Sequence, residues 1–323
     1  MGNKTNLLPI LYAVFPKEYG RYIDIFGGSG AVLLGKEPCK FEVYNDIDGE
    51  LVNLFRCVRN RPAELLLELG LLPLNSRSEF QRWLHFETSK DEVVAHLPTQ
   101  IEIIDRLIPK EWAEEIKAAL NKRADYQEVR QAAAYFMRVR NSYSSSGRSF
   151  ACQPFNVFTV FDQLSELSFR LANVIIENQS FETLIPHYDR EDAFFYGDPP
   201  YFSSEYVYDA DFDWEQHVLL RDTLAQCKGK WLISQADFPE VRELYKDYDI
   251  LDFQRIHSMA QRRVAGAQFH ELLILMLKYF AHIISGIGAC EFSLAVMTMI
   301  ISLQVLSIML MPAIVYGICG NIL

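Results

Sequence analysis

The tetrapeptide Asp198-Pro199-Pro200-Tyr201 follows directly on the apolar run Phe194-Phe195-Tyr196 and Gly197. Two consecutive prolines fix φ and remove two backbone donors, so a buried strand cannot run on through them. The strand must end in a stiff bend. In an open α/β sheet, strand ends at the carboxyl edge are where ligands bind. The bend leaves carbonyl oxygens facing outward as acceptors. Asp198 adds a second acceptor beside them, and Tyr201 supplies an aromatic face. An exocyclic amine is a weak, planar nucleophile, because its lone pair is delocalised into the ring. Two acceptors on its N–H groups favour the pyramidal geometry needed for attack. Stacking on an aromatic ring would hold a base in place, worth ~1–3 kcal/mol. The bland alternative is a proline-rich turn with a solvated Asp. The strand before the bend, and two further features, weigh against it.

The first is a glycine turn. Tyr22-Ile23-Asp24-Ile25-Phe26 is a short apolar run closed by Gly27-Gly28-Ser29-Gly30, and Ala31 to Leu34 can begin a helix. Glycines let the chain turn sharply and let a cofactor approach the backbone. The second is an acid. Phe41 to Tyr44 reads as the next strand and ends at Asn45-Asp46, 18 residues after Gly28. A carboxylate there can accept hydrogen bonds from two ribose hydroxyls. The turn is not a full GxGxxG, and the chain has no GxxxxGK[ST]. By itself it fits several nucleoside cofactors, or an ordinary structural turn.

Leu51, Leu54, Phe55 and Val58 fall on one helical face. From about Pro62 to Arg130 the texture becomes polar and charged, with helices expected at Ala113 to Leu120 and Tyr126 to Arg140. This block reads as an insert that carries specificity rather than chemistry. Strand texture returns at Phe194 to Tyr196, Trp231 to Ser234, Ile250 to Phe253 and Leu272 to Leu277. Strands alternating with helices predict an α/β fold with a doubly wound, mostly parallel sheet.

The formal net charge of -11 argues against a protein that merely coats nucleic acid, since phosphate neutralisation dominates non-specific affinity. It leaves room for an enzyme with one local basic patch. Between Arg123 and Arg148 five arginines face two carboxylates, a local balance of +3. Six scattered cysteines form no CxxC pair and no zinc-ligand pattern, so no metal is expected. Reduced thiols and the lack of a signal peptide at the start point to the cytoplasm. Cys39, after Pro38, reads as a packing residue.

Together these residues resemble the Dam-type family of DNA adenine methyltransferases, over most of residues 2 to 278. Gly2-Asn3-Lys4 looks like the family's opening Gly-x-Lys segment, and Phe26 to Gly30 like its glycine turn. Asn45-Asp46-Ile47-Asp48 is similar to its short acidic motif. Ala133-Tyr135-Phe136 with Arg140-Asn141-Ser142 is similar to its aromatic and Asn/Arg segment. Asp198 to Tyr201 matches its catalytic motif, and His270-Glu271-Leu272-Leu273-Ile274 its closing strand. The chain departs from the pattern at its start, where Met1-Gly2 replaces the apolar or aromatic residues usual before Gly-x-Lys.

The resemblance implies a class I methyltransferase-like Rossmann fold with a largely helical recognition insert. It implies direct methyl transfer from S-adenosylmethionine to the N6 amine of a flipped-out adenine in a short site of double-stranded DNA. The catalytic residues would be Asp198, Pro199, Pro200 and Tyr201. Lys4, Asp24, Phe26, Gly27, Gly28, Ser29, Gly30, Asp46, Ile47 and Asp198 would hold the cofactor. Arg138, Arg140, Asn141, Ser144, Arg148, Arg262 and Arg263 are the candidate DNA contacts, against the bland reading of solvated surfaces. The catalytic domain is expected at 1–61 and 131–278, with the insert at 62–130. A cognate restriction endonuclease is a possible partner. The rivals are an RNA or protein-amide methyltransferase, and a membrane-associated, non-catalytic nucleotide-fold protein.

Residues 279–323 form an apolar tail, and no residue after Glu291 carries a formal charge. The run 292–316 is long enough to cross a bilayer, which takes about 20 apolar residues. It also reads as a packing helix, or as an aberrant end that replaced the natural terminus. The last is favoured, since a DNA-modifying enzyme gains nothing obvious from an anchor.

Overall fold

The computed structural model describes residues 7–71, 77, 80, 81, 84, 97–107, 109–142, 150–151, 157–201, 212–256 and 268–276. These fall into two compact units. One is Asp48–Ile176; the other joins 7–47 to 177–276.

The second unit carries the sheet. Its strands are β1 (Arg21–Asp24), β2 (Phe41–Asn45), β4 (Ala193–Gly197), β5 (Lys230–Ala236), β6 (Asp249–Ile256) and β7 (Gln268–Leu275), and β3 (Val174–Glu177) spans the sequence boundary at 176/177. The seven strands run in the order β3-β2-β1-β4-β5-β7-β6. β1 pairs in parallel with β2 and β4, and β4 with β5. β7 runs antiparallel between β5 and β6. All five residues of β4 are buried, which is why that stretch reads as unbroken apolar sequence rather than an alternating one. Helices of this unit are α1 (Leu8–Val14), α2 (Ala31–Gly35), α8 (Phe181–Tyr188), α9 (Trp214–Ala225) and α10 (Pro239–Leu244).

The expected strands are present. β3 is an addition: Val174-Ile175-Ile176-Glu177 is too short a run to stand out from the helical stretch before it. The order reverses between β1 and β4, because the chain first builds outward through β2 and β3 and then returns. That switch point is where doubly wound sheets open a crevice for ligands.

The unit Asp48–Ile176 is helical, with α3 (Gly49–Asn60), α4 (Pro62–Leu71), α5 (Leu97–Leu107), α6 (Lys110–Arg140) and α7 (Val157–Leu171). Asp48 caps α3 by accepting from the amides of Glu50 and Leu51 at 2.9 and 3.2 Å, the usual work of a short acidic side chain there. Leu51, Leu54, Phe55 and Val58 are all buried, as their spacing requires. α3 packs against α6, whose run Ala132-Ala133-Ala134 is buried and lets the helices approach closely. The two helices expected between Ala113 and Arg140 are one continuous helix, because the intervening Asn121-Lys122-Arg123 holds no glycine or proline to break it. Position 130 therefore lies inside a helix. Among the described residues no helix is long and apolar enough to cross a membrane. The tail lies outside the described residues.

Candidate active site

The glycine turn and the proline bend emerge from neighbouring parallel strands. Asp24 lies opposite Tyr196 in register, and the Ile25 amide donates to the Tyr196 carbonyl at 2.9 Å. Both segments therefore leave the same edge of the sheet at the switch between β1 and β4.

The turn is tightly held. The Gly27 amide donates to the Asn45 carbonyl at 2.7 Å, and the Gly30 amide to the Gly27 carbonyl at 2.8 Å. A Cβ on Gly27 would lie 2.2 Å from the Tyr44 ring. That ring cannot easily withdraw, since its hydroxyl donates to the Gly28 carbonyl at 2.7 Å. Gly28 has φ of 50° and nothing within 4 Å of where its Cβ would stand. A left-handed residue facing open space is a cradle for something that approaches the backbone closely. Ser29 sits in the same turn, and Gly30 has φ of 70° at the start of α2. Asp46 accepts from the Gly28 amide at 2.8 Å, so one of its oxygens fixes the turn itself. Ile47 follows it and is 61 % exposed, a high value for an isoleucine.

Sequence reasoning missed the segment after β3. Asn178 donates to the carbonyls of Asp46 and Ile47 at 2.8 and 3.1 Å. Asn45 donates to the carbonyls of Ile25 and Gln179 at 2.8 and 3.0 Å, and accepts from the Gln179 amide at 2.9 Å. Phe26, Phe181 and Phe212 form an aromatic cluster with ring centroids 5.6–6.0 Å apart. The signal was there: an apolar run followed by Asn178-Gln179-Ser180 has the form of another strand end.

Asp24 is 1 % exposed. Its Oδ2 accepts from the Tyr22 hydroxyl at 3.4 Å, while Oδ1 has no hydrogen-bond partner among the described residues. Burial, and then the neighbouring Asp198 and Asp46, hold its carboxyl well above the usual carboxylate range; Tyr22 and Lys36 only partly offset this. Three acidic side chains thus gather at one edge, and a cationic ligand there would relieve their mutual repulsion.

The bend is anchored at both ends. Ser234 on β5 donates to Asp198 Oδ1 at 2.8 Å. The Tyr201 hydroxyl donates to the carboxylate of Glu271 on β7. Pro199 is buried between them, and Asp198, Pro200 and Tyr201 are half-buried. Burial first, then Asp198 and Glu271, push the Tyr201 phenol well above its ordinary range, so it remains a donor.

The candidate DNA contacts in the helical unit fare differently. Arg138 is paired with Glu50 at 3.1 Å and lies over the Tyr135 ring at 5.1 Å. Tyr135 in turn donates to Asp48 at 3.0 Å. Arg140 is half-buried, and burial lowers its pKa. Asn141 is buried, and its amide donates to the Met137 carbonyl at 2.9 Å. It closes the end of α6. A polar residue after a helix serves the helix's orphan carbonyls as readily as a ligand. Lys4, Ser144, Arg148, Arg262 and Arg263 lie outside the described residues.

The family model for D12 class N6 adenine-specific DNA methyltransferases matches residues 1–262. The chain is also similar to the Type II methyltransferase M1.LlaDCHI of Lactococcus lactis subsp. cremoris, with 25% identity over 277 residues, 83% of this chain and 88% of that protein. The chain belongs to the D12 class N6 adenine-specific DNA methyltransferase family, and is an S-adenosylmethionine-dependent enzyme that methylates adenine in DNA.

Proposed function

We propose that the edge formed by β1 and β4 performs the transfer, with the cofactor over the glycine turn and the adenine over the proline bend. One observation carries this reading: the register Asp24↔Tyr196, which brings residues 24–30 and 198–201 out side by side. Asp24, Phe26 to Gly30, Asp46 and Ile47 would hold the cofactor, with Lys4 as a further contact. The fit is chemical. The orphaned oxygen of Asp24 and the surrounding carboxylates suit the ammonium and sulfonium charges of S-adenosylmethionine. The open space at Gly28 admits a ligand against the backbone. Exposed Ile47 offers an apolar surface to a purine beside the ribose-facing Asp46.

When bound, the cofactor supplies a methyl group already activated on a sulfonium, so no covalent enzyme intermediate is required. The chain's own task is positioning. Asp198 and the Pro199 carbonyl accept the two amine hydrogens, which turns the nitrogen lone pair out of conjugation. Tyr201 stacks on the flipped-out base. The Asp198 carboxylate would take the proton that the nitrogen sheds once it carries the methyl group. Catalysis then rests on orientation and charge complementarity.

The helical region 62–130 would read the target site. Arg138 and Arg140, with Ser144, Arg148, Arg262 and Arg263, would meet the DNA backbone. A cognate restriction endonuclease is the partner suggested by the Type II relative. A cytoplasmic location goes with the scattered cysteines and the DNA substrate.

The test is labelled methyl transfer to unmethylated duplex DNA, with RNA and protein as parallel acceptors. Asp198→Ala should lower the rate on DNA by about 10²–10³-fold. Full activity in that variant would remove Asp198 from the chemistry. Sequencing of adenine methylation in DNA from an expressing host would give the site.

A further inference from the structure

We propose that Glu271 and Ser234 are positioning residues for the transfer, clamping the two ends of the Asp198–Tyr201 bend from neighbouring strands of the sheet. The inference rests on the catalytic reading of that bend and adds to it the source of its rigidity.

Ser234 and Glu271 are both 0 % exposed. They belong to strands β5 and β7, which pair antiparallel with Ala236 opposite Glu271 and Ser234 opposite Leu273. A buried carboxylate is costly unless hydrogen-bonded, and Glu271 accepts from the Tyr201 hydroxyl. A tyrosine that only had to stack would need no such partner. The bond fixes where the far end of the ring lies, and so fixes the plane offered to a base.

The other end is held by a directed chain. Ser234 has one hydroxyl hydrogen, and it goes to Asp198 Oδ1 at 2.8 Å. The contact of 3.1 Å between Ser234 Oγ and the Tyr196 hydroxyl must then have Tyr196 as donor. Tyr196 sits on β4, two residues before Asp198, and its phenol is held well above its ordinary range by burial and then by Asp198. The order Tyr196 to Ser234 to Asp198 sets the carboxylate's rotation. Two prolines stiffen what lies between. A reacting amine held between Asp198, the Pro199 carbonyl and Tyr201 thus meets groups whose orientation is already decided.

The experiment is a double-mutant cycle on the full chain, read as single-turnover methyl transfer to unmethylated duplex DNA at saturating cofactor. Tyr201→Phe keeps the ring and removes the hydroxyl. Glu271→Leu removes the acceptor; Glu271→Gln keeps an acceptor of the same length. Tyr201→Phe and Glu271→Leu should each slow transfer about tenfold, the loss of one hydrogen bond to a charged group. Their combination should be no slower than either alone, because both remove the same bond. Glu271→Gln should recover most of the rate. Cofactor affinity, measured by calorimetry, should stay within about twofold of the parent. A double variant about a hundredfold slow, losses that multiply, would overturn the proposal. So would a full rate in Tyr201→Phe, which holds even if Glu271→Leu does not fold. Asp198→Ala separates the two claims. If it keeps its activity, the catalytic reading fails. If it is inactive while Tyr201→Phe is unimpaired, only the clamp fails.

Discussion

At the carboxyl edge of the sheet, polar side chains are buried and hydrogen-bonded to one another: Ser234 to Asp198, Tyr201 to Glu271, Asn45 to Ile25 and Gln179. In the helical unit there are also ion pairs at the surface. Lys117 meets Glu114 at 3.0 Å, with the Glu114 side chain 82% exposed. Large apolar side chains such as Trp112 and Phe169 are also exposed there. A buried hydrogen bond fixes direction, because breaking it leaves an unsatisfied group that costs about 1–3 kcal/mol. A surface ion pair is worth about 0–1 kcal/mol and holds little in place. The difference fits the two tasks proposed for these regions. Methyl transfer needs a fixed geometry, whereas a surface that reads a DNA site needs long side chains free to meet it.

This contrast can be broken or sharpened by experiment. Asp198→Ala has the largest expected effect, a rate loss of about 10²–10³-fold with little change in folding. Next comes a pH effect at the sheet edge. His217 on α9 is buried, with Gln235 at 3.5 Å, and burial lowers its pKa from 6.5 to about 4. The unfolded chain takes up a proton below pH 6.5 that the folded protein refuses. Its contribution to stability, about 2–3 kcal/mol, is therefore present above pH 6.5 and lost as pH falls toward 4. Urea melts between pH 7 and 4 should show this slope, and His217→Gln should flatten it. Gly27→Ala pushes a methyl group into the Tyr44 ring and should cost about 1–3 kcal/mol, read as a lower melting temperature. Glu114→Ala, which removes an exposed partner of Lys117 in the helical unit, should move the melting temperature by no more than about 2 °C. A large loss there would end the contrast between a rigid edge and a tolerant helical surface.

Much of the site was legible in the chain. Asp-Pro-Pro-Tyr marks a strand end because proline cannot continue a ladder. The glycine turn shows because only glycine takes up its backbone angles without cost. Asp46 shows by its place at the end of the next apolar run. Asn141 is ambiguous in the sequence, because a polar residue after a helix looks the same whether it caps the helix or faces a ligand. Asn178 stood in a strand-end pattern that was passed over, whereas Ser234 gave no signal, since a single polar residue within a strand names no partner. The break expected within 113–140 was absent because charged residues are good helix formers, and composition alone does not separate two helices from one.

The sequence by itself determined the order of strands and helices, the stiff bend, the glycine turn and the class of chemistry. Each rests on local rules: proline's missing donor, glycine's permitted angles, the spacing of buried side chains. Only the tertiary structure decided that β4 lies beside β1 and β5 beside β7. That pairing brings Asp24 next to Asp198, and Glu271 to a tyrosine 70 residues away. Hydrogen bonds and charges act over a few ångströms of space, and distance along the chain does not reveal which groups will share it.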